Sequence, residues 1–118
     1  MGPRKADAAY LWDMLDAAKA VLSFTAGMEY DHYISDRKTQ LAVERAIEII
    51  GEAARYVSES CKESHPEIPW GKIIRQRHVL AHEYGEIRHE RIWALIEKYI
   101  PELIGRLEPL VPPPPVEV

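Results

Sequence analysis

Apolar positions recur at helical spacing along most of the chain. Leu11, Leu15, Ala18 and Leu22 follow one another at intervals of three and four, and Trp12 widens the stripe. That period predicts a helix over about Lys5 to Thr25, with Asp7, Asp13, Asp16 and Lys19 on the other face. Gly27 supplies a stop. Met28 to Ser35 read as a connector with Asp31, His32 and Ser35 as turn formers. Ser35 or Asp36 caps a second, longer helix running to about Lys62. Its apolar members are Leu41, Ala42, Ile47, Ile50, Ala53, Ala54 and Val57. Glu44, Arg45, Glu48, Glu52 and Arg55 decorate it. Ala46, Gly51, Ala53 and Ala54 keep part of its face small, so Gly51 reads as a point of close helix–helix approach rather than a ligand contact.

The pattern breaks at Ser64-His65-Pro66-Glu67-Ile68-Pro69, where prolines end one helix and start the next. A third helix is predicted from about Trp70 to His82, closed by Gly85 as a left-handed cap. A fourth begins near Arg88 and carries Ile92, Leu95, Ile96, Tyr99, Leu103, Ile104 and Leu107. Pro101 falls inside it and should kink or divide it. Residues 111–118 form a polyproline-like tail that projects from the fold; its PxxP spacing fits an SH3-type ligand, but a solvated tail is the simpler reading. With no strand pattern and no internal repeat, the chain reads as all-α: residues 1–110 make one helical domain, an antiparallel bundle of four to five helices.

Composition narrows the function classes. The 118 residues make one domain, and 47% apolar content is ample for a core. The single cysteine, Cys61, allows no internal disulfide and suits a reducing, cytoplasmic setting. The start lacks the apolar stretch of a signal peptide, Ala6 breaks a myristoylation pattern, and no apolar run is long enough for a membrane span. A net charge of −4 argues against coating nucleic acid by bulk electrostatics. One stretch departs from that balance: Lys72, Arg75, Arg77, Arg88 and Arg91 stand with His78, His82 and His89 against Glu83, Glu86 and Glu90.

The candidate chemistry lies there. His78 and His82 are four apart and share a helix face. Arg77 and His82 are five apart, roughly 140° around a straight helix. They meet if the helix loosens near His82, or if a second subunit brings its own pair alongside. Histidine moves protons near neutral pH, and the arginine fork matches phosphate oxygens. Together they suit metal-free cleavage of an RNA phosphodiester, in which the 2′-hydroxyl is the nucleophile. The bland alternative is a solvated basic face at a helix C-terminus. Another is a metal site built on the His78-x3-His82 spacing, with Glu52 or His89 as a third ligand; Val79 stands where a metalloprotease would carry glutamate.

Arg77-x4-His82-x-Tyr84 resembles the R-x4-H-x-Y motif of HepT toxins of the HEPN superfamily. Leu11-Trp12-Asp13-Met14-Leu15, Ile47-Glu48-Ile49-Ile50-Gly51-Glu52-Ala53-Ala54 and His65-Pro66-Glu67-Ile68-Pro69-Trp70 resemble further segments of that family, in order, over about residues 5–108. The resemblance implies a homodimeric helical toxin of a type VII toxin–antitoxin system. It would be a metal-independent ribonuclease with a tRNA as the expected substrate. Arg77 and His82 take the catalytic positions. Tyr84 takes the position that an MntA-type nucleotidyltransferase antitoxin modifies with AMP, the ATP and Mg²⁺ being used by that partner; this chain needs no cofactor. His78 stands where these proteins often carry Asn, and Val79 where they often carry a basic residue. Arg75, one turn earlier, would replace that phosphate contact. A non-catalytic dimer that binds nucleotide, or only holds a nucleotidyltransferase, uses the same residue types and is the alternative.

Overall fold

The computed structural model describes residues 5–82 and 89–112, with side chains over 6–76 and 89–112. Among them the secondary structure is helical: α1 (Lys5–Phe24), α2 (Tyr30–Tyr33), α3 (Arg37–Tyr56), α4 (Glu59–Ser64), α5 (Trp70–His82), α6 (His89–Ala94), a π-helical turn (Leu95–Tyr99), α7 (Ile100–Leu107) and a 3₁₀ turn (Glu108–Leu110). The predicted all-α class holds, and α1, α3, α5 and the run from α6 to α7 are its four main bodies. The predicted cap at Gly85 lies outside the described residues, as does most of the proline tail.

α1 ends as its sequence requires. The Thr25 hydroxyl donates to the Val21 carbonyl at 2.9 Å, and Gly27 takes φ +76°, a conformation costly for any residue with a Cβ. The connector is not bare loop, since Tyr30–Tyr33 close one helical turn. Asp36 caps α3, its carboxylate accepting from the Thr39 backbone N–H at 3.1 Å and from the Thr39 hydroxyl at 2.9 Å. These bonds hold the Asp36 carboxyl below its ordinary range.

The predicted helix to Lys62 is two helices. α3 stops at Tyr56, Val57 turns to extended backbone (φ −65°, ψ 138°), and Ser58 caps α4 by accepting from the Cys61 N–H. The break has a tertiary cause. Asp7 of α1 accepts from the Ser58 N–H at 2.8 Å and the Ser58 hydroxyl at 2.6 Å. Asp7, expected on the exposed face, is therefore 4% exposed, and its burial is matched by charge-assisted hydrogen bonds.

Leu11, Met14, Ala18 and Val21 of α1 pack against α3, whose small residues Ala46, Gly51, Ala53 and Ala54 are all buried where α1 and α5 pack on it. Gly51 is buried, as a packing position requires. The stripe on α1 is shifted from the predicted one: Met14 and Val21 are core, and Trp12 is 47% exposed. On α3, Leu41 is exposed and Glu44 buried, the reverse of expectation. Tyr99, counted in the apolar stripe of the last helix, is also exposed; it lies under the Lys72 ammonium, 4.3 Å from its ring centroid.

The Pro-containing connector is pinned before α5 begins. Ile68 and Trp70 are buried, the Trp70 indole N–H donates to the His65 carbonyl at 3.0 Å, and Arg106 of α7 donates to the Glu67 carbonyl at 2.7 Å. Pro101 does divide the last helix. It lacks an N–H and its ring crowds the carbonyl four residues back. The chain answers with one wide turn, in which the Ile100 N–H reaches the Leu95 carbonyl, five residues away.

Candidate functional site

Arg77, His78 and His82 lie on the C-terminal half of α5, which remains α-helical through His82. The loosening that would bring positions 77 and 82 onto one face of a single copy is not present, so those positions stay roughly 140° apart around the axis. The side chains of Arg77, His78 and His82 lie outside the described ones, and Tyr84 lies outside the described residues altogether. Arg75 is exposed, and its guanidinium folds back over Gly71: a Cβ there would come within 3.2 Å of Nη1. Long helical side chains lean toward the N-terminus, so the described conformation turns this cation away from the end that carries His82.

α5 packs on α3, and its Ile73 and Ile74 are partly buried against the core. A groove of about 280 Å³ remains between α3, α5 and the π turn with α7. It has an apolar floor of Ile47, Ile50 and Leu103 and a polar edge of Lys72, Gln76 and Arg106. The groove reaches Gln76, the residue before Arg77.

A second polar feature lies at the corner formed by α2, α3 and α6, near the point where the chain re-enters helix after the motif. Tyr33 is completely buried and Glu44 is 9% exposed. The rings of Tyr33 and His89 meet edge-on at 6.1 Å, and those of Tyr33 and Trp93 lie at 5.2 Å. The Tyr33 hydroxyl, Glu44 Oε2 and His89 Nδ1 are buried and make no hydrogen bond among the described residues. Burial raises the Glu44 carboxyl above its ordinary range, against the opposing pull of His89 and Arg37. Burial and the Glu44 charge push the Tyr33 phenol far above its own. Residue type alone makes Glu44 a surface decoration, but its position carries the opposite signal: 40, 44, 47, 51 and 54 recur at four and three, and all are buried.

Among the described residues, no three His, Cys, Asp or Glu side chains are grouped to hold a metal ion. Nor is any helix there long and apolar enough to cross a membrane. Cys61 is buried, and that burial raises its thiol above the ordinary range, which suppresses the reactive thiolate.

Fold and site together define a class: a small helical bundle that presents an arginine–histidine segment at the end of one helix. Residues 14–110 match the family described as ribonuclease HepT-like, and the chain belongs to that family. It is 39% identical over 101 residues to a protein of Thermococcus cleftensis named "Probable ribonuclease HepT", a match covering 86% of this chain and 92% of that one. It is 36% identical over 109 residues to a Methanocaldococcus jannaschii protein that carries the provisional name of an RNase, covering 92% of this chain and 90% of the relative. A similarly named protein of Caldanaerobacter subterraneus is 33% identical over 94 residues, covering 80% and 84%. No solved structure matches the chain.

Proposed function

We propose that this protein is an RNA-cleaving toxin whose site is completed by two copies of α5. The observation that carries the reading is the segment Arg77-x4-His82-x-Tyr84 at the end of α5 in a chain of the HepT-like ribonuclease family. α5 remains regular through His82, which favours pairing Arg77 of one protomer with His82 of its partner across a two-fold axis. In the reaction, the 2′-oxygen of RNA bonds to phosphorus as its proton passes to a base. The phosphorus–5′-oxygen bond breaks, and the leaving oxygen takes up a proton. His82 carries one of these proton transfers. Arg77 holds the phosphoryl oxygens through its planar fork as charge builds on them. His78 and Arg75 support the RNA backbone. The products are a 2′,3′-cyclic phosphate and a 5′-hydroxyl, and no metal takes part. tRNA is the substrate proposed.

Silencing uses Tyr84. Its hydroxyl attacks the α-phosphorus of ATP held with Mg²⁺ by a nucleotidyltransferase antitoxin, pyrophosphate leaves, and AMP remains on the tyrosine. The added negative charge and base then occupy the phosphate site beside Arg77. The protein acts in the cytoplasm, where tRNA and ATP are at hand.

The test incubates purified protein with total RNA in excess chelator, beside Arg77→Ala and His82→Ala. Wild type should leave 2′,3′-cyclic ends and both variants none. Absence of cleavage, with nucleotide binding retained, would favour a non-catalytic dimer. Incubation with the antitoxin, ATP and Mg²⁺ should add AMP to wild type by intact mass and none to Tyr84→Phe. Equal addition to both would refute the regulatory half alone.

A further inference from the structure

We propose that the groove between α5 and α7 is a subsite for one nucleotide of single-stranded RNA, in which the Tyr99 ring stacks a base and the Lys72 and Lys98 ammoniums hold the adjoining phosphates. The proposal rests on the ribonuclease reading above and extends it to residues outside the motif. Tyr99 is 39% exposed at the end of the π turn. Lys72 reaches it from α5, its ammonium 4.3 Å from the ring centroid, and Lys98 from the same turn, at 5.5 Å. Both lysines are exposed. Arg106 adds a cation at the groove's edge, and its bond to the Glu67 carbonyl leaves its charge in place. Lys72 and Arg106 stand against Glu102 in the lining, so the mouth is positive on a chain of net charge −4.

An exposed ring flanked by ammoniums suits both halves of a nucleotide. The base brings a π face to stack, and the phosphate brings negative charge. A lysine head sits on a flexible four-carbon stem. The ammonium over the Tyr99 ring can therefore swing to a phosphate as a base takes its place. The groove's volume of about 280 Å³ lies just under the range of roughly 300–1,000 Å³ that holds drug-sized ligands, which suits a single nucleotide. Lysine is depleted in the cores of protein interfaces, so this pair favours a polyanion over a second copy of the chain. The π turn lets Leu95, Tyr99 and Leu103 all line the groove although Pro101 interrupts the helix, and such turns recur at functional sites. The groove also leads toward the motif. Ile73 lines it, and position 77 is four residues on, about 6 Å further along the same side of α5. A strand whose scissile phosphate lies at Arg77 thus brings its neighbouring nucleotide within reach of Tyr99.

The test measures binding of a short fluorescein-labelled single-stranded RNA to the full-length chain carrying His82→Ala, which should bind without cutting. In that background Tyr99→Ala should weaken Kd by roughly 5- to 150-fold, the usual loss for a stacked base. Tyr99→Phe keeps the ring and should stay within about twofold. Lys72→Gln should lower the slope of log Kd against log salt by about 0.7, one phosphate contact on a single strand. Thiouridine-substituted RNA should crosslink on irradiation to the peptide that contains Tyr99. Unchanged affinity in Tyr99→Ala, an unchanged salt slope in Lys72→Gln, or crosslinks confined to other peptides would each overturn the proposal. Dissociation of Tyr99→Ala into monomers by light scattering, with RNA affinity retained, would mean that the groove seats a second copy and would overturn it too. If wild type cleaves no RNA but His82→Ala binds it through Tyr99, the ribonuclease reading falls and the subsite stands. If wild type cleaves RNA and Tyr99→Ala binds and cleaves equally well, the subsite alone falls.

Discussion

Asp7 and Glu44 are both buried carboxylates, at 4% and 9% exposure, but the chain provides for them differently. Asp7 sits where α1 meets the break between α3 and α4. Both of its oxygens accept hydrogen bonds from Ser58, and the Ser58 oxygen in turn accepts from Cys61. Glu44 sits on α3, and among the described residues one of its oxygens is buried and unbonded, as are the Tyr33 hydroxyl and His89 Nδ1. The satisfied corner uses its polar groups to end one helix and start another. The unsatisfied corner forgoes about 1–3 kcal/mol for each unpaired group. The cost falls among groups of α2, α3 and α6, while the well-bonded corner joins α1 to the break between α3 and α4. Burial alone therefore does not separate the two carboxylates; whether each oxygen finds a donor does.

The largest effect expected bears on the motif itself. His82→Ala should reduce RNA cleavage by roughly 10²–10⁴-fold, the usual contribution of a proton-transfer residue. Helix content and melting temperature should stay near wild type. A comparable loss of rate in Asp7→Ala at a temperature where that variant is fully folded would break the contrast between the corners.

Asp7→Ala should instead lose stability, by roughly 2–4 kcal/mol. It removes two charge-assisted bonds and strands the Ser58 N–H in a partly buried site. Urea unfolding followed by circular dichroism measures this. A loss below about 0.5 kcal/mol, typical of surface changes, would mean the pair does not hold the helix break.

The two corners also differ in how far the sequence discloses them. Lengths, caps and breaks set by local chemistry are legible: α1, the Asp36 cap, the start of α5 at Trp70 and the disturbance at Pro101. Local rules know nothing of Asp7 reaching Ser58, fifty-one residues away, so helical periodicity runs straight through the break. Residue type favours Trp12 for the core, although Met14 and Val21 fit the same period and bury more completely. Glu44 and Leu41 exchange places for a related reason: polarity outweighs position in such a reading, and a charge on a buried stripe passes for a surface one. The motif segment is legible through its residue types and spacing and through the resemblance they carry, with α5 placed where expected; which side chains meet there is a property of assembly that one chain does not display.

Ser58→Ala sharpens the reading of the satisfied corner at smaller cost. It removes the hydroxyl that bonds Asp7 and caps α4 but leaves the backbone N–H to the carboxylate. A loss of about 1–2 kcal/mol is expected, in the range of other lost caps. The same loss in Asp7→Ala/Ser58→Ala as in Asp7→Ala alone would assign the whole effect to the pair.

The smallest effect concerns acid and base, and it tests the unsatisfied corner directly. Burial raises the Glu44 carboxyl above its ordinary range. An acid whose folded pKa is raised binds its proton more tightly in the native state than in the unfolded chain. Stability then falls as pH rises, beginning at the ordinary carboxylate value and ending once the folded group has also ionised. Tyr33, His89, Arg37 and Glu48 are the charged or titratable groups that act across this corner. Of these, His89 and Arg37 moderate the rise and Glu48 adds to it. The amide introduced by Glu44→Gln cannot titrate, so the difference in melting temperature between the two proteins should be least in acid, where both carry a neutral side chain. It should grow in favour of the variant as pH rises through the window. A difference that instead grows toward acid would mean that the Glu44 charge is stabilised in the fold, and the contrast with Asp7 would lose its physical basis.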